Sequence, residues 1–138
     1  MKHLGCASIV LVFGLVACSD NLAPSTHLII QIDRASLDSR GTLDVAFTIR
    51  NAGGRSEEIS ACGGEASVVF QRQAGTRWDQ IGGGLCMANL AMAPVTVPAR
   101  GSIRGTAGLC CVEHGVFRLV AAYGRDGSAG VVSDPFTP

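Results

Sequence analysis

Lysine is nearly absent from this chain. Lys2 is the only lysine, and ten arginines oppose eleven acidic residues. The arginines are scattered between Arg34 and Arg125 and form no cluster. Because nucleic-acid binding by counterion release requires a basic stripe, we expect no nucleic-acid partner.

Catalytic signatures are lacking as well. The sequence contains no Gly-x-Ser-x-Gly elbow, no His-Glu-x-x-His pair and no phosphate loop. After residue 17, the histidines are His27 and His114. The run Gly82–Gly84 is not followed by Lys-Ser/Thr, and we interpret it as flexible. The sequence therefore predicts a protein that is not an enzyme and that uses no cofactor.

No segment has the sustained 3.6-residue periodicity of a long helix, and the eighteen glycines argue against one. The periodic signal has period two, which is typical of strands with one buried face. It is clearest at 43–50 and 117–123. Further candidate strands are 28–32, 130–133, and the pair 68–72 and 77–81, which we expect to form a hairpin around Gly75; 95–97 and 102–106 are weaker candidates. These short segments, separated by turns, predict an all-β antiparallel sandwich of about seven to eight strands.

The apolar segment Leu85–Ala93 is an exception to this pattern, and Pro94 ends it. One interpretation is a turn of helix or a loop that caps an open edge of the sandwich. The other is an exposed, methionine-containing surface that adapts to an apolar partner.

The N-terminus has the parts of a secretion signal. Lys2 precedes an uncharged apolar run from Leu4 to Ala17, which is shorter than the about 20 residues of a membrane-spanning helix. The run ends in Leu15-Val16-Ala17-Cys18, which resembles the lipobox of bacterial lipoproteins. The resemblance implies cleavage before Cys18, a thioether-linked diacylglycerol and a further acyl chain such as palmitate. The alternatives are an uncleaved anchor and an ordinary signal peptide.

The lipoprotein interpretation divides the chain into a signal peptide (1–17), a lipidated N-terminus with its tether (18–26) and a β-sandwich domain (27–138). It implies an extracytoplasmic protein held on a bacterial membrane by the lipid on Cys18. Ser19, where an Asp would alter sorting, favours the outer membrane if the cell has two membranes.

The chain from about Leu43 to Thr137 resembles the small immunoglobulin-like domains of bacterial secreted lipoproteins. It is also distantly similar to BsuPI-type proteinase-inhibitor domains. The resemblance depends on turns and core aromatic residues at 48–53, 78–79, 98–101, 115–119 and 133–136. It implies an immunoglobulin-like sandwich and, as an alternative function, proteinase inhibition. At 98–101 the chain has Pro-Ala-Arg-Gly where such domains usually have Pro-Gly.

Four cysteines follow Cys18. Cys62 and Cys86 flank the predicted 68–81 hairpin, and we expect them to form a disulfide that stabilises the fold by about 3 kcal/mol. Cys110 and Cys111 are adjacent, and they form a vicinal disulfide, remain free thiols or make crossed bonds to the other two. With His114 they also offer soft ligands for copper or zinc, which is the less favoured reading.

These observations favour a non-catalytic binding or structural module of the cell envelope. We expect its loops, particularly Glu57–Glu65 and Gly82–Ala93, to contact a protein partner. Proteinase inhibition of the BsuPI-like type is the alternative, and soft-metal binding is a third and weaker hypothesis.

Overall fold

The computed structural model describes residues 27–84, 86, 91–123 and 129–138. These residues contain eleven strands, all paired antiparallel. The strands are β1 (Leu28–Leu37), β2 (Leu43–Asn51), β3 (Glu57–Ile59), β4 (Ala61–Cys62), β5 (Glu65–Ala66), β6 (Val68–Ala74), β7 (Arg77–Gly83), β8 (Val95–Val97), β9 (Ser102–Leu109), β10 (Phe117–Tyr123) and β11 (Ala129–Val132). In the described ranges, no helix is long and apolar enough to cross a membrane.

One sheet has the strand order β1–β2–β9. Its central strand β2 alternates as the sequence predicts, with Val45, Phe47 and Ile49 buried and Asp44 and Arg50 exposed. Successive side chains of a strand point to opposite faces, so this alternation aims one face of the sheet at the core. β1 continues to Leu37, beyond the predicted 28–32, and a bulge interrupts its pairing between Ile32 and Arg34.

In the second sheet, two strands lie end to end at each of two positions. We call each such line of strands a row, and a single strand elsewhere also counts as one row. In β10, Ala121 pairs with both Val68 and Val131, so both of its edges are occupied. Tyr123 pairs with Ala129 of β11 and with Ile59 of β3, which places β3 on the same edge of β10 as β6. Strands β3 and β6 therefore form one interrupted row. On its far side, β8 pairs with β3 and β7 with β6, forming a second interrupted row.

Counted by rows, the described residues form a sandwich of three rows against four. In chain order, the seven rows are β1, β2, β3 with β6, β7 with β8, β9, β10 and β11. The first, second and fifth rows form one sheet, and the third, fourth, sixth and seventh form the other. This is an immunoglobulin-like arrangement in which the fourth row joins the C–F–G sheet. The predicted fold class is confirmed. The strand count exceeds the predicted seven to eight because two rows are interrupted and β4–β5 forms a small additional hairpin.

Both sheets contribute to a single core. The largest fully buried side chains come from four strands of the two sheets: Phe47, Phe70, Phe117, Leu43, Ile49, Ile59 and Leu119. Removing a side chain of this size from water contributes about 1.5–3 kcal/mol, so these few residues dominate the stability of the sandwich.

Asn51 lies in the motif that resembles immunoglobulin-like lipoprotein domains, and its role here is structural. Its buried side-chain amide donates to the carbonyl oxygens of Arg55 at 2.7 Å and Val97 at 3.3 Å. Its side-chain oxygen accepts from the Gly53 N–H at 2.9 Å. One residue thus links the end of β2 to β8 in the opposite sheet.

Two local expectations were wrong. Glu57–Glu65 is not a simple loop, because Ile59 enters the core and Glu57–Ile59 pairs as β3. Gly82 and Gly83 belong to β7 and provide close approach rather than flexibility. A Cβ at Gly82 would lie 2.5 Å from the Leu109 side chain, and one at Gly83 would lie 2.4 Å from the Val68 carbonyl oxygen.

Candidate functional site

The two row interruptions lie side by side. Two excursions interrupt the rows: along the chain, residues 60–67 connect β3 to β6 and residues 84–94 connect β7 to β8. Because β3 pairs with β8 and β6 pairs with β7, the two excursions begin and end next to each other in adjacent rows. We call these two excursions the loop pair. The sequence predicted contact loops at 57–65 and 82–93, and the fold brings their central parts together.

A covalent bond and two backbone hydrogen bonds organise the loop pair. Cys62 and Cys86 form a disulfide with a Cα–Cα distance of 5.4 Å, consistent with the predicted pairing. The Gly63 N–H donates to the Ala91 carbonyl at 2.9 Å, from one excursion to the other. The Ser67 N–H donates to the Ser60 carbonyl at 2.8 Å and closes the base of the first excursion. Cys62 and Gly63 of the first excursion are thus joined to Cys86 and Ala91 of the second.

The surface of the loop pair is mainly apolar. Met92 is 78% exposed, and Ala91, Ala93 and Pro94 beside it are also exposed. Residues 60–67 and 84–94 contain one glutamate, Glu65, and no lysine or arginine. Leu85–Ala93 was expected to be either a capping turn or loop, or an exposed adaptable surface. Residues 85 and 87–90 lie outside the described residues, and 91–93 have no regular secondary structure.

Cys110 and Cys111 lie directly after β9, remote in sequence from the loop pair. Both are exposed and free, so the expected alternative of crossed bonds to Cys62 and Cys86 is wrong. They line a shallow hollow with Arg72 and Ile81. A hydrogen bond with Cys110 raises the pKa of the Cys111 thiol.

The structure gathers no cluster of three or more His, Cys, Asp or Glu side chains with metal-binding geometry in its described ranges. His114 is exposed three residues after Cys111. The hypothesis of a copper or zinc site at Cys110, Cys111 and His114 therefore stays a prediction from sequence. Cys18, the expected lipid attachment point, lies outside the described residues.

Sequence reasoning missed a polar cluster on the outer face of the four-row sheet. The Arg118 guanidinium lies 4.3 Å from the centre of the Trp78 ring, and Arg118 Nε donates to Gln71 Oε1 at 2.7 Å. The alternation in β10 predicts that Arg118 faces away from the core. The identity of its neighbours depends on the register with β6 and β7, which local pattern does not reveal.

A second missed feature is a groove of about 570 Å³ between β1 and the C-terminal segment 134–137. Ile29, Gln31 and Asp33 line one side, and Pro135 and Phe136 line the other. Phe136 is held there because its backbone exchanges two 2.8 Å hydrogen bonds with Phe117. The groove combines apolar and charged groups without converging on a polar centre.

No protein-family model matches the chain, and the search of curated proteins found no similar sequence. Among solved structures, the chain is similar to the protein described as "X-ray structure of Northeast Structural Genomics Consortium target SoR45". The identity is 15% and the TM-score 0.48, over 84% of this chain and 87% of that one.

Proposed function

We propose that this protein is a non-catalytic lipoprotein of the cell envelope that binds a protein partner through the loop pair. One observation carries the proposal. Two segments expected independently to make contacts are joined by the Cys62–Cys86 disulfide at one place on the sandwich, with Met92 exposed beside them.

The physical properties of the loop pair support binding. Association loses free energy when flexible loops become ordered, and a cross-link present before binding reduces that loss. The unbranched Met92 side chain adapts to irregular apolar surfaces. Glu65 of the loop pair and Glu58 beside it on β3 are exposed, and their negative charge favours a partner with basic groups around an apolar contact.

The expected anchor limits where the partner can be. The tether 18–26 has nine residues, which span at most roughly 30 Å when fully extended. A lipid on Cys18 would thus keep the domain close to the membrane surface. The partner we expect is another envelope protein with a basic and apolar surface near that membrane.

Site-specific photo-crosslinking in cells tests the proposal. A photoreactive residue replaces Met92 in the full chain, and the matched control carries it at Gln80, which is exposed on β7 outside the loop pair. We expect a discrete adduct from position 92 and none from position 80. Glu65→Lys should then weaken binding of the identified, purified partner. Equal adducts from both positions, or none from position 92, would contradict the proposal.

Proteinase inhibition is the second candidate. It is favoured by the exposed loop fixed by a disulfide, because a rigid loop can occupy a protease cleft with little loss of conformational entropy. The test is a panel of serine, cysteine and metallo-proteases with the full chain at micromolar concentration. Inhibition that disappears in the Cys62→Ala/Cys86→Ala variant would establish it. No inhibition in any class would discard it.

A further inference from the structure

Cys110 and Cys111 have a different environment from the other two cysteines of the domain. They begin the connection between β9 and β10, and both thiols are free and exposed. Being adjacent, they stay close whatever the rest of the connection does. Any reagent that reaches one thiol can reach the other.

We propose that Cys110 and Cys111 form a reversible thiol–disulfide exchange site, which a small or protein disulfide oxidises to a vicinal bond. The site is separate from the loop pair, and the proposal does not depend on a binding partner. Its reactants are thiol and disulfide compounds of the envelope.

Chain geometry explains why such a bond would be reversible. Adjacent Cα atoms of a trans peptide are about 3.8 Å apart, whereas ordinary disulfides join Cα atoms about 4.4–6.8 Å apart. A bond between Cys110 and Cys111 would therefore be strained, and strained or exposed disulfides are the ones that are readily reduced. The Cys62–Cys86 pair, at 5.4 Å, lies within the ordinary range. The same molecule thus contains a durable disulfide and a labile pair.

The local backbone keeps the pair presented. Cys111 has φ = +62°, a left-handed conformation that is uncommon for a residue other than glycine. The following residue is fixed, because the Val112 N–H donates to the Gly41 carbonyl at 3.0 Å. Glu113 then pairs with Arg72 at 3.4 Å. These contacts hold the segment against the sandwich while the two thiols stay in solvent.

The exchange proceeds in two balanced steps. The Cys110 thiolate attacks one sulfur of the oxidant, forming a mixed disulfide and releasing the first oxidant thiol. Cys111 loses its proton and attacks the Cys110 sulfur, which closes the vicinal bond and releases the second thiol. Two cysteine protons are lost and the oxidant disulfide is reduced. In the reduced pair, a hydrogen bond with Cys110 raises the pKa of the Cys111 thiol, which favours Cys110 as the first nucleophile.

Peptide mapping in glutathione buffers tests the proposal on the full chain. Alkylation and trypsin isolate both cysteines in peptide 105–118, because Arg104 and Arg118 flank them. We expect this peptide to lose two hydrogens reversibly as the glutathione disulfide fraction rises. Reduction should occur at a reducing strength where the cross-linked peptides 56–72 and 78–100 are still joined. We expect the two midpoints to differ at least roughly tenfold in equilibrium constant, or about 30 mV for two electrons.

Single substitutions test the two-step exchange. Cys111→Ser should accumulate the Cys110–glutathione mixed disulfide, because the resolving thiol is missing. Cys110→Ser should likewise stop at the Cys111–glutathione mixed disulfide. A peptide 105–118 that never closes, or that is reduced together with Cys62–Cys86, would overturn the proposal.

Discussion

Gly105 illustrates how a single residue shapes the core of the sandwich. It lies directly across from Phe47 in the pairing of β2 with β9. A Cβ at this position would be 2.6 Å from the Phe47 ring, which is fully buried. The missing side chain makes room for an aromatic ring in a chain that has few of them.

We therefore expect Gly105→Ala to destabilise the domain by about 1–3 kcal/mol, because a methyl group would overpack a filled core. Gly54→Ala is the matched control, since a Cβ there meets no atom within 4 Å. Its effect should stay within about 0.5 kcal/mol. Urea unfolding of both variants measures the difference. Equal free energies of unfolding would show that the Phe47 ring can move aside.

Arg118 gives a second test at this scale. Replacing it by Gln should remove the contact with the Trp78 face and lower stability by about 0.5–1 kcal/mol. Trp78 is the only tryptophan, so its emission should shift to longer wavelength as its ring gains water. The control is Arg50→Gln, an exposed arginine on β2. Unchanged emission in Arg118→Gln would contradict the stacked arrangement.

At the scale of the elements, the sequence predicted the strands whose side chains alternate strictly. β10 was predicted with its observed limits, and β2 to within one residue. β3 was missed because two of its three residues are Glu57 and Glu58, whose charges favoured a solvated loop. The interrupted rows could not be foreseen, because they depend on pairings such as Ile59 with Tyr123, which are far apart in sequence.

The candidate site was predicted in part for the same reason. Cys62 and Cys86 could be paired because they flank a recognisable hairpin. That the two contact loops form one surface follows only from the alignment of β3 with β6 and of β8 with β7. No local pattern encodes that alignment.

Removing the disulfide should loosen this element. We expect Cys62→Ala/Cys86→Ala to lower the free energy of unfolding by about 3 kcal/mol, since the bond closes a loop with a sequence separation of 24. The amide protons of Gly63 and Ser67 should also exchange faster, because their hydrogen bonds hold the loop pair together. Cys110→Ser/Cys111→Ser is the matched control, and we expect its stability to be unchanged. A similar loss in both variants would argue against a special role for the Cys62–Cys86 bond.

At the scale of the whole molecule, the described sandwich and the expected anchor occupy different parts of the chain. The described sheet pairings and core lie within residues 27–138, and the expected lipid attachment point is Cys18. Anchoring and partner binding can therefore be tested with separate substitutions.

Substitution of the anchor cysteine makes that separation measurable. Cys18→Ser should abolish lipid attachment and release the domain from membranes, because acyl chains supply about 0.8 kcal/mol per buried methylene. Cys6→Ser is the matched control, since Cys6 lies in the segment expected to be cleaved. Membrane fractionation and intact-mass spectrometry of both variants provide the readouts. A different outcome is that both Cys18→Ser and the unsubstituted chain stay membrane-bound with residues 1–17 attached. The apolar run 4–17 would then be an uncleaved anchor. The sandwich would still face the partner we propose, but the lipid on Cys18 would have no part in holding it there.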